Sequence, residues 1–165
     1  QAPSSFDQFA KGREMKILNL MLMGAVVMIV SGFVQTAQAE HGGVFHSWYT
    51  LDNKSKVQIY KCGDKVCGKF VWLKEPLTDE GKPKADINNE NEEMRGKPII
   101  GLVMLNDFVE DSQTAHAWTA GTIYDPENGK TYSSKMTLND DGTLTVRGYV
   151  GLPIFGRSQE WVKAE

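Results

Sequence analysis

From residue 44 onward, apolar and polar positions alternate in short runs, and each run stops at a cluster of Gly, Pro, Asn or Asp. A period of two puts successive side chains on opposite faces of an extended chain, so each run reads as a strand. The runs predict strands at 44–50, 56–61, 68–73, 101–108, 116–124, 131–138, 143–149 and 158–162. Asp125-Pro126-Glu127-Asn128-Gly129 is a turn with a mechanism, because Pro presets φ and Asn-Gly accepts positive φ. Asn139-Asp140-Asp141-Gly142 has the composition of a hairpin turn. Gly121 falls inside the fifth run and marks a bulge there. No stretch after Ala39 sustains a helical period. The expected fold is all-β: a single antiparallel up-and-down barrel of about eight strands, since closure removes exposed sheet edges.

One segment breaks the rhythm. Residues 74–98 form a long polar connection of mixed charge, interrupted by Pro76, Pro83 and Pro98. Long connections in compact domains are often functional. A helical turn is expected near 91–95. Asp86, Asn88, Asn89 and Arg95 crowd together in it, and Asx side chains shape turns by bonding nearby amides. These four residues are expected to fix an ordered loop over one barrel end, as a lid or a plug, with Arg95 bridging back to Asp86.

The strands are rich in aromatics: Phe45, Trp48, Phe70, Trp72, Trp118, Tyr124, Tyr132, Tyr149 and Trp161. An eight-stranded barrel can be filled by such side chains or can hold one small ligand. Most of these rings are expected to build the core. Trp72, Trp118, Tyr124 and Tyr132 are the candidates to line a cavity. Arg147 and Arg157 lie in or beside strands, where a buried unpaired charge would be costly. Arg147 can pair with Asp125 or Asp86, and Arg157 can stack on Trp161 or another aromatic. The functional alternative is that both are cationic anchors for a ligand carboxylate or phosphate at the barrel mouth.

The N-terminus follows other rules. Lys16 precedes an uncharged stretch, 17–34, and Ala37-Gln38-Ala39 ends it. A positive start, an apolar middle and a small-x-small ending describe a signal peptide at 15–39, cleaved after Ala39. The stretch is long enough to be read as an anchor, but Asn19, Ser31 and Gly32 weaken that reading. Residues 1–14 are polar and are set aside as a non-native leader. The domain is then 40–165, exported to the periplasm or secreted. Export gives the two cysteines an oxidising setting. Cys62 and Cys67 flank a turn between strand-like runs and are expected to form a disulfide across it.

Several chemistries drop out. The net charge of −3 and the lack of a basic, aromatic-studded stripe argue against nucleic acid. There is no Gly-x-Ser-x-Gly, His-Glu-x-x-His or phosphate loop. Asp86-Ile87-Asn88-Asn89-Glu90 opens like a calcium loop, but Asn91 and Lys97 stand where Gly and Glu are needed. His41, His46 and His116 show no spacing that pairs them with a nucleophile, so no catalytic residue, metal or cofactor is assigned, and an enzyme of unrecognised class is the least favoured reading.

Longer patterns carry a resemblance. Cys62-Gly63 leads to Cys67-Gly68-Lys69-Phe70-Val71-Trp72-Leu73, followed by Asp86-x-Asn88-Asn89, Arg95 and Pro98-x-x-Gly101-Leu102. Trp118-x-x-Gly121-x-Ile123-Tyr124-Asp125-Pro126, Asn128-Gly129-Lys130-Thr131-Tyr132, Arg147-Gly148-Tyr149 and Gly156-Arg157-x-Gln159-x-Trp161 complete it. Together these resemble an exported bacterial family designated domain of unknown function 2147. Glu90 and Lys163 depart from it, standing where Pro and Arg are usual. The resemblance implies a lipocalin-like (calycin-type) barrel and no particular activity. With the aromatic excess, it leads to an expectation of non-catalytic binding of a small, partly apolar ligand such as a lipid or fatty acid. The alternative expectation is a cell-envelope interaction or stress-response protein acting through the 74–98 loop.

Overall fold

The computed structural model describes residues 43–165, so the leader at 1–14 and the signal segment at 15–39 lie outside the described residues. Eight strands follow one another: β1 (Ser47–Tyr49), β2 (Ser55–Cys62), β3 (Lys65–Leu73), β4 (Val103–Glu110), β5 (Ala117–Asp125), β6 (Lys130–Leu138), β7 (Leu144–Tyr149) and β8 (Gly156–Lys163). Each pairs antiparallel with the next. β8 returns to β1 through Tyr49↔Val162 and Trp48↔Lys163, which closes the barrel. The predicted strands are all present. The first is shorter than expected: residues 44–46 enter irregularly, although the His46 carbonyl still accepts from the Ile59 amide at 2.9 Å.

Up-and-down order sorts the connections by end. The β2–β3, β4–β5 and β6–β7 turns share one end, and the other four connections share the opposite end. The first end is packed solid. Trp48, Phe108, Met136 and Leu144 are essentially inaccessible there, with Trp118 beside them. The incoming chain seals this end: Val44 is buried, and its carbonyl accepts from Trp48 Nε1 at 2.8 Å. Gly121 permits part of this packing. A Cβ there would sit 2.3 Å from the Phe108 ring, so only Gly lets the ring lie on the β5 backbone. The expected bulge is found at this point, between Trp118 and Gly121, with Ala120 at φ 56°.

A second irregularity corrects the sequence reading of Trp72. Phe70 pairs with Val57 and Trp72 with Lys56, so Val71 is an extra residue in β3. The bulge reverses the alternation, and Trp72 emerges on the outer face, 39% exposed. Its ring meets Tyr49 edge to face at 5.9 Å, with the Lys56 ammonium 4.5 Å from the Tyr49 ring centre. Phe45, also expected in the core, is half exposed, because residues 44–46 precede regular pairing.

Cys62 and Cys67 are disulfide-bonded, with Cα atoms 5.8 Å apart. The turn between their strands is the two-residue Gly63-Asp64, with Gly63 at φ 65°. The bridge therefore closes a very short loop and restricts the unfolded chain only modestly. Replacing both cysteines by Ser should lower stability by about 2 kcal/mol, read from the urea midpoint at unchanged slope. A loss near zero would mean that the β2–β3 hairpin is already formed in the unfolded ensemble.

Candidate functional site

The end opposite the packed core is open. Here the barrel holds a cavity of about 800 Å³. Its floor is apolar and belongs to the core: Trp161, Val146, Phe70 and Met104. Above it the inward positions become small or polar, with Ser55 on β2, Gly148 on β7 and Gln159 and Arg157 on β8. Gly148 marks a close approach in the cavity wall: a Cβ there would meet Ile123 Cγ2 at 3.3 Å, tighter than ordinary contact, and Tyr132 Cβ at 3.8 Å, both lining residues. Leu51, Ile154 and Phe155 form an exposed apolar rim.

Polarity is spread unevenly around the wall. Gln159 Oε1 accepts from Trp161 Nε1 at 3.0 Å, which satisfies the floor indole. Asp125 is engaged in its own turn, accepting from the Glu127 amide and from Asn128 Nδ2. Arg157 lines the cavity and makes no hydrogen bond or ion pair with any described residue. It does not stack on Trp161 as expected. β8 alternation puts both side chains on the inner face, with Arg157 near the mouth and Trp161 at the floor.

The candidate ligand residues thus divide. Tyr124, Tyr132 and Arg157 line the cavity, whereas Trp72, Trp118 and Arg147 do not. Trp118 is buried in the filled end. Arg147 sits one position out of phase with the inward Val146. It pairs with neither Asp125 nor Asp86, and its Nε and Nη1 donate to the Pro153 carbonyl (2.7 Å) and Ser158 Oγ (2.9 Å). The residues that the sequence reading missed are the small ones, Ser55 and Gly148, and Gln159. Their signal was available in the inward phase of each strand, set by Val57, Val146 and Trp161.

The long connection is ordered and lies at the open end, but it is neither lid nor plug, because none of residues 74–102 lines the cavity. It braces the wall from outside. Asp86 is fully buried, and its carboxylate accepts from Tyr124 Oη at 2.8 Å and Asn89 Nδ2 at 2.7 Å. Asn88 Nδ2 donates to the carbonyls of Pro126 and Glu127 in the β5–β6 turn. Gly129 lies so close to the Asn88 carbonyl, at φ 73°, that no side chain fits. The expected helical turn appears at Glu92–Met94, capped by Asn91. Arg95 does not reach Asp86. Its Nε donates to the Asn89 carbonyl at 2.6 Å and its Nη1 meets Glu92, so it holds the loop to itself. No three His, Cys, Asp or Glu side chains converge on a metal-sized site among the described residues.

Burial, the hydrogen bond to Asp86 and the negative charge around it push the Tyr124 hydroxyl up to about 12 from an ordinary 10.0. A raised folded value stabilises fully below the unfolded pKa and is lost as pH climbs through the folded one. Stability contributed by Tyr124 should therefore hold up to pH 10 and decline between 10 and about 12. Urea denaturation across that window should show wild type losing ground relative to Tyr124→Phe, which shares every other titration. Parallel curves would mean that the phenol is not held neutral by Asp86.

The likeness to known proteins follows this geometry. The fold is similar to that of the Helicobacter pylori protein HP1028, described as belonging to the lipocalin family, with a TM-score of 0.62 and 22% identity over 73% of this chain and 82% of that one. At that identity the likeness is one of fold: a lipocalin-like barrel. No curated protein matches the chain. The family model for uncharacterized proteins conserved in bacteria, domain of unknown function 2147, matches residues 47–163, the whole closed barrel from β1 to β8, and the chain belongs to that family.

Proposed function

We propose that this protein is an exported, non-catalytic carrier that holds one small, partly apolar molecule, such as a fatty acid, in the open half of its barrel. The observation that carries the reading is the cavity itself: an apolar floor, an Arg157 in the wall that has no partner among the described residues, and an apolar rim. Its volume of about 800 Å³ falls within the range of about 300–1,000 Å³ found for small-molecule sites. An alkyl chain would replace water over Trp161, Phe70 and Met104, and a carboxylate would meet the guanidinium nearer the mouth. Export is supported by the signal-like pattern at 15–39 and by the Cys62–Cys67 bridge, which persists in oxidising compartments. Among the described residues no helix is long and apolar enough to cross a membrane.

Two variants test the binding reading. Gly148→Leu adds a bulky side chain to the cavity wall, against Ile123, and should weaken dodecanoate binding by about tenfold or more, because the crowded wall takes the ligand's volume. Arg157→Gln should cost dodecanoate about tenfold and dodecanol far less, since only the acid uses the charge. Quenching of indole fluorescence by a titrated ligand, with native mass spectrometry of periplasmic material, gives both numbers. No ligand captured, or equal loss for acid and alcohol in Arg157→Gln, would remove the proposed mode.

A further inference from the structure

The connection from β7 to β8 is built unlike the other connections at the open end. Val150, Leu152, Ile154 and Phe155 are between 63% and 76% exposed. Leu51, on the neighbouring β1–β2 connection, adds a half-exposed side chain. The segment is also one-sided in charge. Between Asp141 and Glu160 there is no acidic residue, and the ionic side chains are Arg147 and Arg157.

This apolar tip is held in place. Arg147 anchors its backbone through the Pro153 carbonyl at 2.7 Å and the Ile154 carbonyl at 3.4 Å. The Phe155 amide donates to the Leu152 carbonyl at 2.9 Å, closing a 3-10 turn over Pro153–Phe155. The ordering cost of the loop is met by these contacts to its backbone, which leave its large side chains exposed. A contiguous exposed apolar patch of this kind marks an interaction surface.

We propose that the 150–156 connection is a membrane-docking tip, which inserts Leu152, Ile154 and Phe155 into the surface of an anionic bilayer. Two observations choose lipid over protein. The first is charge: a segment free of acids, with Arg157 at its base and Lys54 on the neighbouring β1–β2 connection, suits anionic headgroups, against Asp52 on that connection and Glu127 on the β5–β6 turn. The second is continuity: Val150, Ile154 and Phe155 also line the cavity mouth. Whatever covers the tip covers the opening. A protein partner or second copy would seal it, whereas a bilayer is itself a source of amphipathic molecules that can pass into the cavity without crossing water. The second of these arguments rests on the carrier reading, whereas the docking readout uses no ligand.

Residues 40–165 contain the complete closed barrel and are the form to test, free of the apolar stretch at 17–34. In flotation with vesicles of phosphatidylethanolamine and phosphatidylglycerol, the wild-type domain should rise with the lipid. The double variant Ile154→Ser/Phe155→Ser should lower the bound fraction about tenfold or more, as expected for losing two inserted side chains. Leu152→Ser, outside the cavity lining, should give a smaller loss in the same direction with an unchanged near-ultraviolet dichroism spectrum. Gly148→Leu should float like wild type even where it no longer takes dodecanoate, so failure of docking and failure of the carrier reading are told apart. Wild-type protein that stays with the soluble fraction, or a double variant that floats equally, overturns the proposal. A wild-type dimer that becomes monomeric in the double variant, with no flotation of either, reassigns the patch to self-association and overturns it as well.

Discussion

The interior of an eight-stranded barrel has a volume set by strand number and tilt, and every inward side chain draws on it. Closure through Trp48↔Lys163 and Tyr49↔Val162 imposes that limit here. Once β1 and β8 are joined, the interior can be neither widened nor drained toward an edge. What remains adjustable is the size of each inward residue. At one end these are Trp48, Phe108, Trp118, Met136 and Leu144, and nothing further fits. At the other they are Ser55, Gly148 and Gln159, and a cavity is left. The two ends are coupled, because the rings that fill the lower half also supply the floor and stiffness that let the upper half stay open. Trp161 and Phe70 belong to both.

An open barrel end has a mechanical weakness. Strands that are not packed on their inner face depend on hydrogen bonds and on support from outside. The 74–102 connection supplies that support for β5 and β6. Asp86 would be costly to bury alone. With Tyr124 and Asn89 donating to it, it becomes a fixed acceptor that ties the loop to β5. Asn88 makes the second tie, to the β5–β6 turn, at a spot where Gly129 allows backbone against backbone. The loop thus has a structural task in holding the cavity wall while staying out of the cavity. Its many exposed charges need no ligand to explain them, since ion pairs such as Lys84–Glu75 are solvated and contribute little.

The barrel was legible in the sequence because alternation and turn chemistry are local signals, and strands of this length leave little freedom in how they are joined. The Cys62–Cys67 bridge was legible for the same reason. The cavity was less so. A count of aromatics cannot tell a filled barrel from an open one. The answer lies in which inward positions are small, and inward phase is lost wherever a bulge intervenes. Val71 shows this: one extra residue sends Trp72 outside, where simple alternation with Phe70 would put it inside. Arg147 and Arg157 show the converse. Both are candidate anchors by residue type, yet counting from Val146 puts Arg147 outside and counting from Trp161 puts Arg157 inside. The Asp86–Arg95 pairing failed because opposite charges close in sequence invite it, whereas burial of Asp86 favours neutral donors that can be buried with it, Tyr124 and Asn89.

Strand glycines show how one residue type serves both halves of the barrel. Gly121 and Gly148 both face inward on extended backbone, and neither is needed for an unusual φ. At Gly121 the missing side chain is replaced at once by the Phe108 ring, which packs on bare backbone and adds to the core. At Gly148 no ring lies over the backbone. The nearest neighbour is aliphatic, with Ile123 Cγ2 3.3 Å from where a Cβ would stand and Tyr132 Cβ at 3.8 Å, and both residues line the cavity. The difference lies in the opposing strands. Phe108 sits on β4, held in position by the bulge that begins at Asp107 with φ 63°, and can reach across to β5. Tyr132 lies near the turn end of β6, where Asn128 Nδ2 donates to its hydroxyl at 3.1 Å. The mouth is thus bordered by a chain of contacts. The β5–β6 turn holds the Tyr132 hydroxyl through Asn128, and the long connection holds that turn through Asn88.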